Sequence, residues 1–240
     1  MSSNETLVIG SSGGIGTAIS EELARRNHKL ITVSRKVNID TSPSDLKRHF
    51  SAESTDFETV TRLFEEMKTL GISPKSIICT IGDGGIRLTD RMSQWDSNFA
   101  VNFLAFVNIV DAAIYSFSDS LKNIVTISSI AGISPLTDPP IEYSVSKAAL
   151  NHYVKIKALQ LAASKICLNA IAPGNILFPS SSWDRRMQAN PQLVEKYIQS
   201  NVPLNRFGTP NDIATVACML TEDNSFITGQ IIVVDGGQTL

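Results

Sequence analysis

The feature that most restricts the fold of this chain is an alternation of short, almost uninterrupted apolar runs with longer segments of helical periodicity. The runs occupy residues 6–9, 30–34, 76–80, 123–128, 166–171 and 230–234, with a weaker one at 49–52. A strand that shows one face to water alternates apolar and polar residues, whereas a strand apolar throughout is buried on both faces. Strands of the second kind, separated by helices, make a parallel sheet covered on both sides. The chain has 240 residues and no internal repeat, low-complexity tract or linker, so it fits one large α/β domain. The expectation is a single doubly wound domain, its mostly parallel sheet holding about seven strands with helices on both faces.

Composition removes several kinds of function. A net charge of −2 offers no general attraction to nucleic acid or anionic lipid. Cys79, Cys167 and Cys218 sit far apart in apolar segments, without disulfide or zinc spacing, and His28, His49 and His152 are equally scattered, so no metal site is expected. The first apolar residues already belong to a strand rather than a leader. No apolar run approaches the roughly 18 residues that span a bilayer. The expected setting is cytoplasmic, with no nucleic-acid or membrane partner.

The first run leads into Gly10-Ser11-Ser12-Gly13-Gly14-Ile15-Gly16 and then an amphipathic stretch over 17–26. In this strand, glycine turn and helix, backbone N–H groups and the helix N-terminus can approach a pyrophosphate without side-chain obstruction. The spacing Gly10, Gly14, Gly16 differs from the common G-x-G-x-x-G fingerprint. Further along, Tyr143 and Lys147 stand four residues apart, about fourteen residues after Ser128-Ser129. On a helix, positions i and i+4 share a face, and a nearby ammonium lowers a phenol's pKa. Tyr143 is therefore a candidate general acid or base.

Taken in order, Gly10, Gly14, Ile15 and Gly16, then Asn102, Ser129, Tyr143 and Lys147, then Pro173-Gly174 and Val234-Asp235-Gly236-Gly237, the chain resembles the short-chain dehydrogenase/reductase family over nearly its whole length. The resemblance implies a Rossmann-type domain and a catalytic set of Asn102, Ser129, Tyr143 and Lys147. Tyr143 would exchange a proton with the substrate oxygen, and Ser129, placed second in its pair, would hydrogen-bond that oxygen. Lys147 would hold the nicotinamide ribose, and Asn102, in a helix over about 94–115, would anchor a water leading to solvent. Cofactor contacts are expected from Gly10, Ser12, Gly13, Gly14, Ile15, Gly16, Ser34, Arg35, Lys36, Glu53, Ser54, Ile81, Gly82, Tyr143, Lys147, Pro173, Gly174 and Ile176.

The second strand ends in Ser34-Arg35-Lys36, where enzymes preferring NAD commonly place Asp or Glu against the ribose 2′-hydroxyl. Two cations with no acidic sequence neighbour favour a 2′-phosphate. The expected cofactor is NADP(H), with NAD(H) possible. Only 35–48 separates the second and third strands, too little for a clear crossover helix, so a short or missing helix and an open adenine end are expected.

The family's Asn-Asn-Ala-Gly is replaced by Cys79-Thr80-Ile81-Gly82, removing side chains that normally brace the sheet, and the Thr usually found after Pro173-Gly174 is Phe178. A substrate lid is expected at 178–206. Phe178 and Trp183 either line an apolar substrate wall, beside Ser129 and Tyr143, or pack the lid onto the body. Arg185 and Arg186 are a solvated face or contacts for an anionic substrate.

The expected activity is interconversion of a small-molecule carbonyl and a secondary alcohol, in the direction of a ketoreductase. A sugar or polyol dehydrogenase, or a nucleotide-binding regulatory protein without turnover, are the alternatives. Broad apolar surfaces on the helices near 100–115 and after Tyr143 imply a homotetramer, or a homodimer.

Overall fold

The structure, a computed structural model, describes residues 5–35, 47–84, 86–222 and 226–240. Its seven strands are β1 Glu5–Ile9, β2 Lys29–Ser34, β3 Lys47–Ser51, β4 Ser76–Cys79, β5 Asn123–Ile127, β6 Cys167–Pro173 and β7 Ile231–Val234. They form one sheet in the order β3-β2-β1-β4-β5-β6-β7, and every pairing is parallel. The weak run expected at 49–52 is a true strand, which begins two residues earlier and ends one residue earlier than expected. The expected short or missing helix falls almost wholly on 36–46, outside the described residues.

Alternation along the strands sorts the core into two layers. Leu7, Ile9, Ile31 and Val33 face one side, against Val60, Phe64 and Met67 of α2 (Phe57–Thr69), Phe106 and Ile109 of α4 (Ala105–Phe117), and Leu150 and Val154 of α5 (Ile141–Leu161). Val8, Leu30, Ile78 and Val125 face the other, against Ala18, Ile19 and Leu23 of α1 (Gly14–Arg25) and Ile213 and Ala217 of α8 (Pro210–Met219). Burial on both faces is why the strands lack polar alternation. The order reverses between β1 and β4, and at such a switch point a crevice opens beyond the carboxyl ends of the strands.

The helix expected near 94–115 is longer and irregular. Helix α3 (Arg91–Phe99) runs into α4 through a π turn at Ala100–Leu104, which contains Asn102. A π turn shifts the helical register by one residue and occurs often at functional sites. The combined helix Arg91–Phe117 also corrects one expectation. Its mean hydropathy of 1.6 over an 18-residue window is high enough, by length and composition, to cross a membrane, although polar residues interrupt the run. In this fold it lies in the helical layer, with 44% of that window buried.

Candidate active site

The glycine turn leaves β1 through Gly10, whose φ of +89° lies in the left-handed region. A β-carbon on Gly10 would stand 2.6 Å from Thr80 Oγ1, and one on Gly16 would stand 2.4 Å from the Gly10 carbonyl oxygen. Only glycine closes this turn. Helices α2, α3, α6 (Ser182–Ala189), α7 (Pro191–Asn201) and α8 each begin with a side chain that accepts a backbone N–H. Helix α1 begins at Gly13 with no side-chain cap, leaving its first N–H groups directed at the switch-point crevice. Ser12 and Gly13 are exposed at this end. The tight turn and the open helix end fit the diphosphate of a dinucleotide.

From this turn a cleft of about 810 Å³ runs along the carboxyl edge of the sheet. Ile15, Ile81, Gly82, Ser129, Tyr143, Lys147, Pro173, Gly174, Ile176, Phe178 and Trp183 all line it, while Gly10, Ser12, Gly13, Gly14, Gly16 and Asn102 do not. Ser34, Arg35, Glu53 and Ser54 lie outside its lining, at the ends of β2 and β3. Lys36 falls outside the described residues.

Tyr143 and Lys147 lie on the first turns of α5, with Lys147 Nζ 5.8 Å from the phenol ring centre. Lys147 is 2% exposed and its Nζ donates to the Ile127 carbonyl at 3.0 Å, which ties α5 to the end of β5. Burial lowers its pKa to about 8. Tyr143 departs from the expectation of a lowered pKa. Burial raises the phenol, a hydrogen bond with Ser129 lowers it, and the charge of Asp83 raises it, for a net rise. Desolvation outweighs the hydrogen bond with Ser129 because the phenolate is the form that loses most on leaving water.

The two serines divide their work. Ser128 is buried and its hydroxyl donates to Asn151 Oδ1 at 2.5 Å, while Asn151 Nδ2 donates to the Gly132 carbonyl at 3.1 Å. A β-carbon at Gly132 would stand 2.6 Å from the Lys147 backbone, so this loop sits directly on α5. Ser129 is left facing Tyr143, its hydroxyl accepting from the Ala131 N–H at 3.1 Å.

Asn102 makes a contact that the sequence does not announce. Its amide accepts from the Asp83 N–H at 2.9 Å and donates to the Asp83 carbonyl at 3.0 Å, fixing the loop after β4. A β-carbon at Gly82 would stand 3.1 Å from Lys147 Nζ and 3.2 Å from Asn102 Oδ1, which explains the glycine. The expected loss of bracing at Cys79-Thr80 is corrected as well. Thr80 Oγ1 donates to the carbonyls of Gly10 at 2.9 Å and Ile9 at 3.2 Å, joining β4 to the glycine turn.

At the adenine end, Arg35 is not without an acidic neighbour. Glu53 Oε2 lies 3.9 Å from Arg35 Nη1, and both side chains are largely exposed. At the opposite rim, the Trp183 ring centre is 5.0 Å from that of Tyr197 and 5.4 Å from that of Phe207, with Arg186 4.8 Å above it. Trp183 therefore both lines the cleft and packs α6 onto α7. Phe178 lies at the glycine-turn end, so close that a β-carbon on Gly14 would meet its ring at 2.3 Å. Arg186 pairs with Asp138 at 2.7 Å across the cleft mouth, and Arg185 Nη1 donates to the Ser180 carbonyl at 2.6 Å.

Among known proteins, a family model described as enoyl-(acyl carrier protein) reductase matches residues 9–239. The chain is 30% identical to carbonyl reductase family member 4 of Danio rerio over 241 residues, covering 98% of this chain and 97% of that protein. It is 28% identical to the 3-oxoacyl-[acyl-carrier-protein] reductase FabG of Rickettsia bellii, covering 100% and 98%. A short-chain dehydrogenase from Leptospira borgpetersenii with bound NAD+ shares the fold, with a TM-score of 0.88, 22% identity, and coverage of 99% of this chain and 93% of that one. These likenesses, with the fold and the cleft, put the chain among the NAD(P)-dependent oxidoreductases. It belongs to the short-chain dehydrogenase/reductase family.

Proposed function

We propose that the protein is an NADP(H)-dependent ketoreductase that reduces a small-molecule carbonyl to a secondary alcohol. The observation that carries this reading is the convergence of Ser129, Tyr143 and Lys147 in one cleft that also reaches the open N-terminus of α1. When bound, the dinucleotide supplies a hydride to the carbonyl carbon. Ser129 donates a hydrogen bond to the carbonyl oxygen and stabilises the charge that grows there. Tyr143 then gives that oxygen its phenolic proton, completing the alcohol. Lys147, as an ammonium, holds ribose hydroxyls and steadies the phenolate that Tyr143 becomes, which is reprotonated through the open cleft. Asn102 keeps the β4 loop in place beside them. Tyr143 is a neutral phenol at neutral pH, but its raised pKa makes it a weaker acid, so proton transfer relies on Ser129 and Lys147 to stabilise the phenolate.

The preference for NADP(H) rests on Arg35, whose guanidinium suits a 2′-phosphate. Glu53 beside it leaves room for NAD(H). Residues 178–206 serve as the substrate lid, α6 and α7 supplying its aromatic inner wall. A homotetramer, or a homodimer, is supported by apolar side chains that α4, α5 and the π turn leave outside the core. Leu104, Tyr115, Ile156 and Leu159 are 46%, 70%, 47% and 80% exposed, although Phe106, Ile109, Val110 and Leu150 are covered within the chain.

The direct test is NADPH oxidation with a panel of ketones. The expected result is turnover of at least one ketone at about 1 s⁻¹ or more, a common rate for enzymes. Cofactor binding without turnover of any ketone would overturn the ketoreductase reading in favour of a regulatory nucleotide-binding protein.

A further inference from the structure

The ring of Phe178 rests on the surface that the glycine turn offers to a diphosphate. Helix α1 starts at Gly14 with no side-chain cap, so its first N–H groups are the anion-binding part of the turn. A β-carbon on Gly14 would lie 2.6 Å from Phe178 Cγ and 2.7 Å from Cε2, which puts the ring in direct contact with this glycine. The lining of the cleft agrees, since Ile15 and Phe178 border it and Gly14 does not. The ring thus screens Gly14 from the cleft. It is half-buried, and with Ile15 it packs against the apolar layer that contains Val8, Ala18 and Ile176.

The backbone of Phe178 holds the ring in this place. One residue earlier, the Leu177 N–H donates to the Gly208 carbonyl at 2.9 Å, and Ile176 bridges to Gly208. One turn later, the Ser181 N–H donates to the Phe178 carbonyl at 3.0 Å, while Ser181 Oγ accepts from the Phe178 N–H at 3.4 Å and from the Asp184 N–H at 3.0 Å, capping α6. Phe178 is therefore fixed between the root of the lid and its first helix, and its ring is aimed at the turn.

We propose that Phe178 is an internal competitor for the diphosphate seat. The ring and a dinucleotide diphosphate exclude each other at Gly14, so binding first requires the ring to leave. A ligand that binds only the fraction of molecules with the ring away shows a dissociation constant raised by the inverse of that fraction. Lifting a half-buried phenyl ring from apolar neighbours corresponds to about a tenfold factor. The inference rests on the dinucleotide seat at α1 and is independent of the substrate and of the direction of the reaction.

The test measures binding alone, with NADPH, NADH and ADP-ribose, the last carrying the diphosphate without the nicotinamide. Phe178→Ala should tighten all three by about tenfold, and Phe178→Leu, which keeps an apolar side chain beside Ile15, should tighten them by a smaller factor. Affinities that stay within twofold of wild type, or that weaken, in both variants would overturn the proposal; weakening would make the ring a wall that supports the cofactor. A second measurement needs no loss of the side chain. In wild-type protein labelled with 4-fluorophenylalanine, the fluorine resonance that is missing from Phe178→Leu should shift on saturation with ADP-ribose, and a resonance that does not move would also overturn the proposal. Turnover of a ketone together with unchanged affinities in the variants would leave the ketoreductase reading standing while this one fails.

Discussion

The two ends of the cleft are built on opposite principles. At the reacting end, buried side chains lock one another. Lys147 is tied to Ile127, Ser128 to Asn151, Asn151 to Gly132, and Asn102 to Asp83. Each bond joins one element to another, so Ser129 and Tyr143 are set by the sheet and by α5 together. At the adenine end, Arg35 and Glu53 are 79% and 51% exposed and only 3.9 Å apart at their nearest charged atoms, an ion pair of small energetic weight. Proton transfer depends on sub-ångström placement and is given a rigid, desolvated frame. Cofactor choice depends on net charge at a wet surface, where one substitution can change it. The account therefore expects large effects at the first end and small, salt-dependent ones at the second.

The largest effect short of the tyrosine itself belongs to Lys147. Lys147→Met keeps the length of the side chain but loses the ammonium, and it should lower turnover by about a hundredfold or more, in line with removal of an electrostatic stabiliser. The same variant tests the buried ammonium without any activity. A lysine held near 8 in the folded protein and near 10.5 when unfolded leaves the unfolded chain binding more protons between those values. Stability from this group is lowest below pH 8 and rises as pH climbs through that window. Between pH 7 and 9, the urea midpoint of the wild-type protein should therefore rise relative to that of Lys147→Met. A constant difference would mean that the lysine titrates normally.

The smaller effect is at the ribose. Arg35→Ala should weaken NADPH by about tenfold and NADH by less than twofold, since only NADPH presents the 2′-phosphate to a charge-assisted hydrogen bond. Glu53→Gln should tighten NADPH by about two- to threefold by removing a competing anion, the size expected of an exposed pair. Both shifts, followed by fluorescence titration, should shrink as salt is raised. An unchanged NADPH-to-NADH ratio in Arg35→Ala would place recognition of the phosphate elsewhere.

The same contrast explains what could be read before the structure. Burial on both faces writes itself into the strands as unbroken apolar runs, so all seven strands were legible, with ends displaced by one or two residues. The glycine turn was legible because Gly10 and Gly16 tolerate no β-carbon. The π turn at Asn102 was not, since a one-residue shift of register leaves the apolar pattern of 91–117 nearly unchanged. Nor were Thr80, Asn151 and the loop at Asp83. Their importance comes from partners 70, 23 and 19 residues away, and no local pattern marks a polar residue for such a contact. The rise in the Tyr143 pKa was hidden for a related reason. The i+4 lysine is visible in sequence, while the burial that raises the phenol exists only in the packed protein.

The central claim is that Tyr143 is the proton donor of a rigid reacting end whose cofactor site is built separately. Tyr143→Phe keeps the ring against Gly84 and removes only the hydroxyl. The most direct measurement pairs the chemistry-limited rate of this variant with its NADPH affinity. The account predicts a fall in turnover of about a hundred- to ten-thousandfold, the range of general acid catalysis, with an NADPH dissociation constant within about threefold of wild type. Retention of more than about a tenth of wild-type turnover would contradict it.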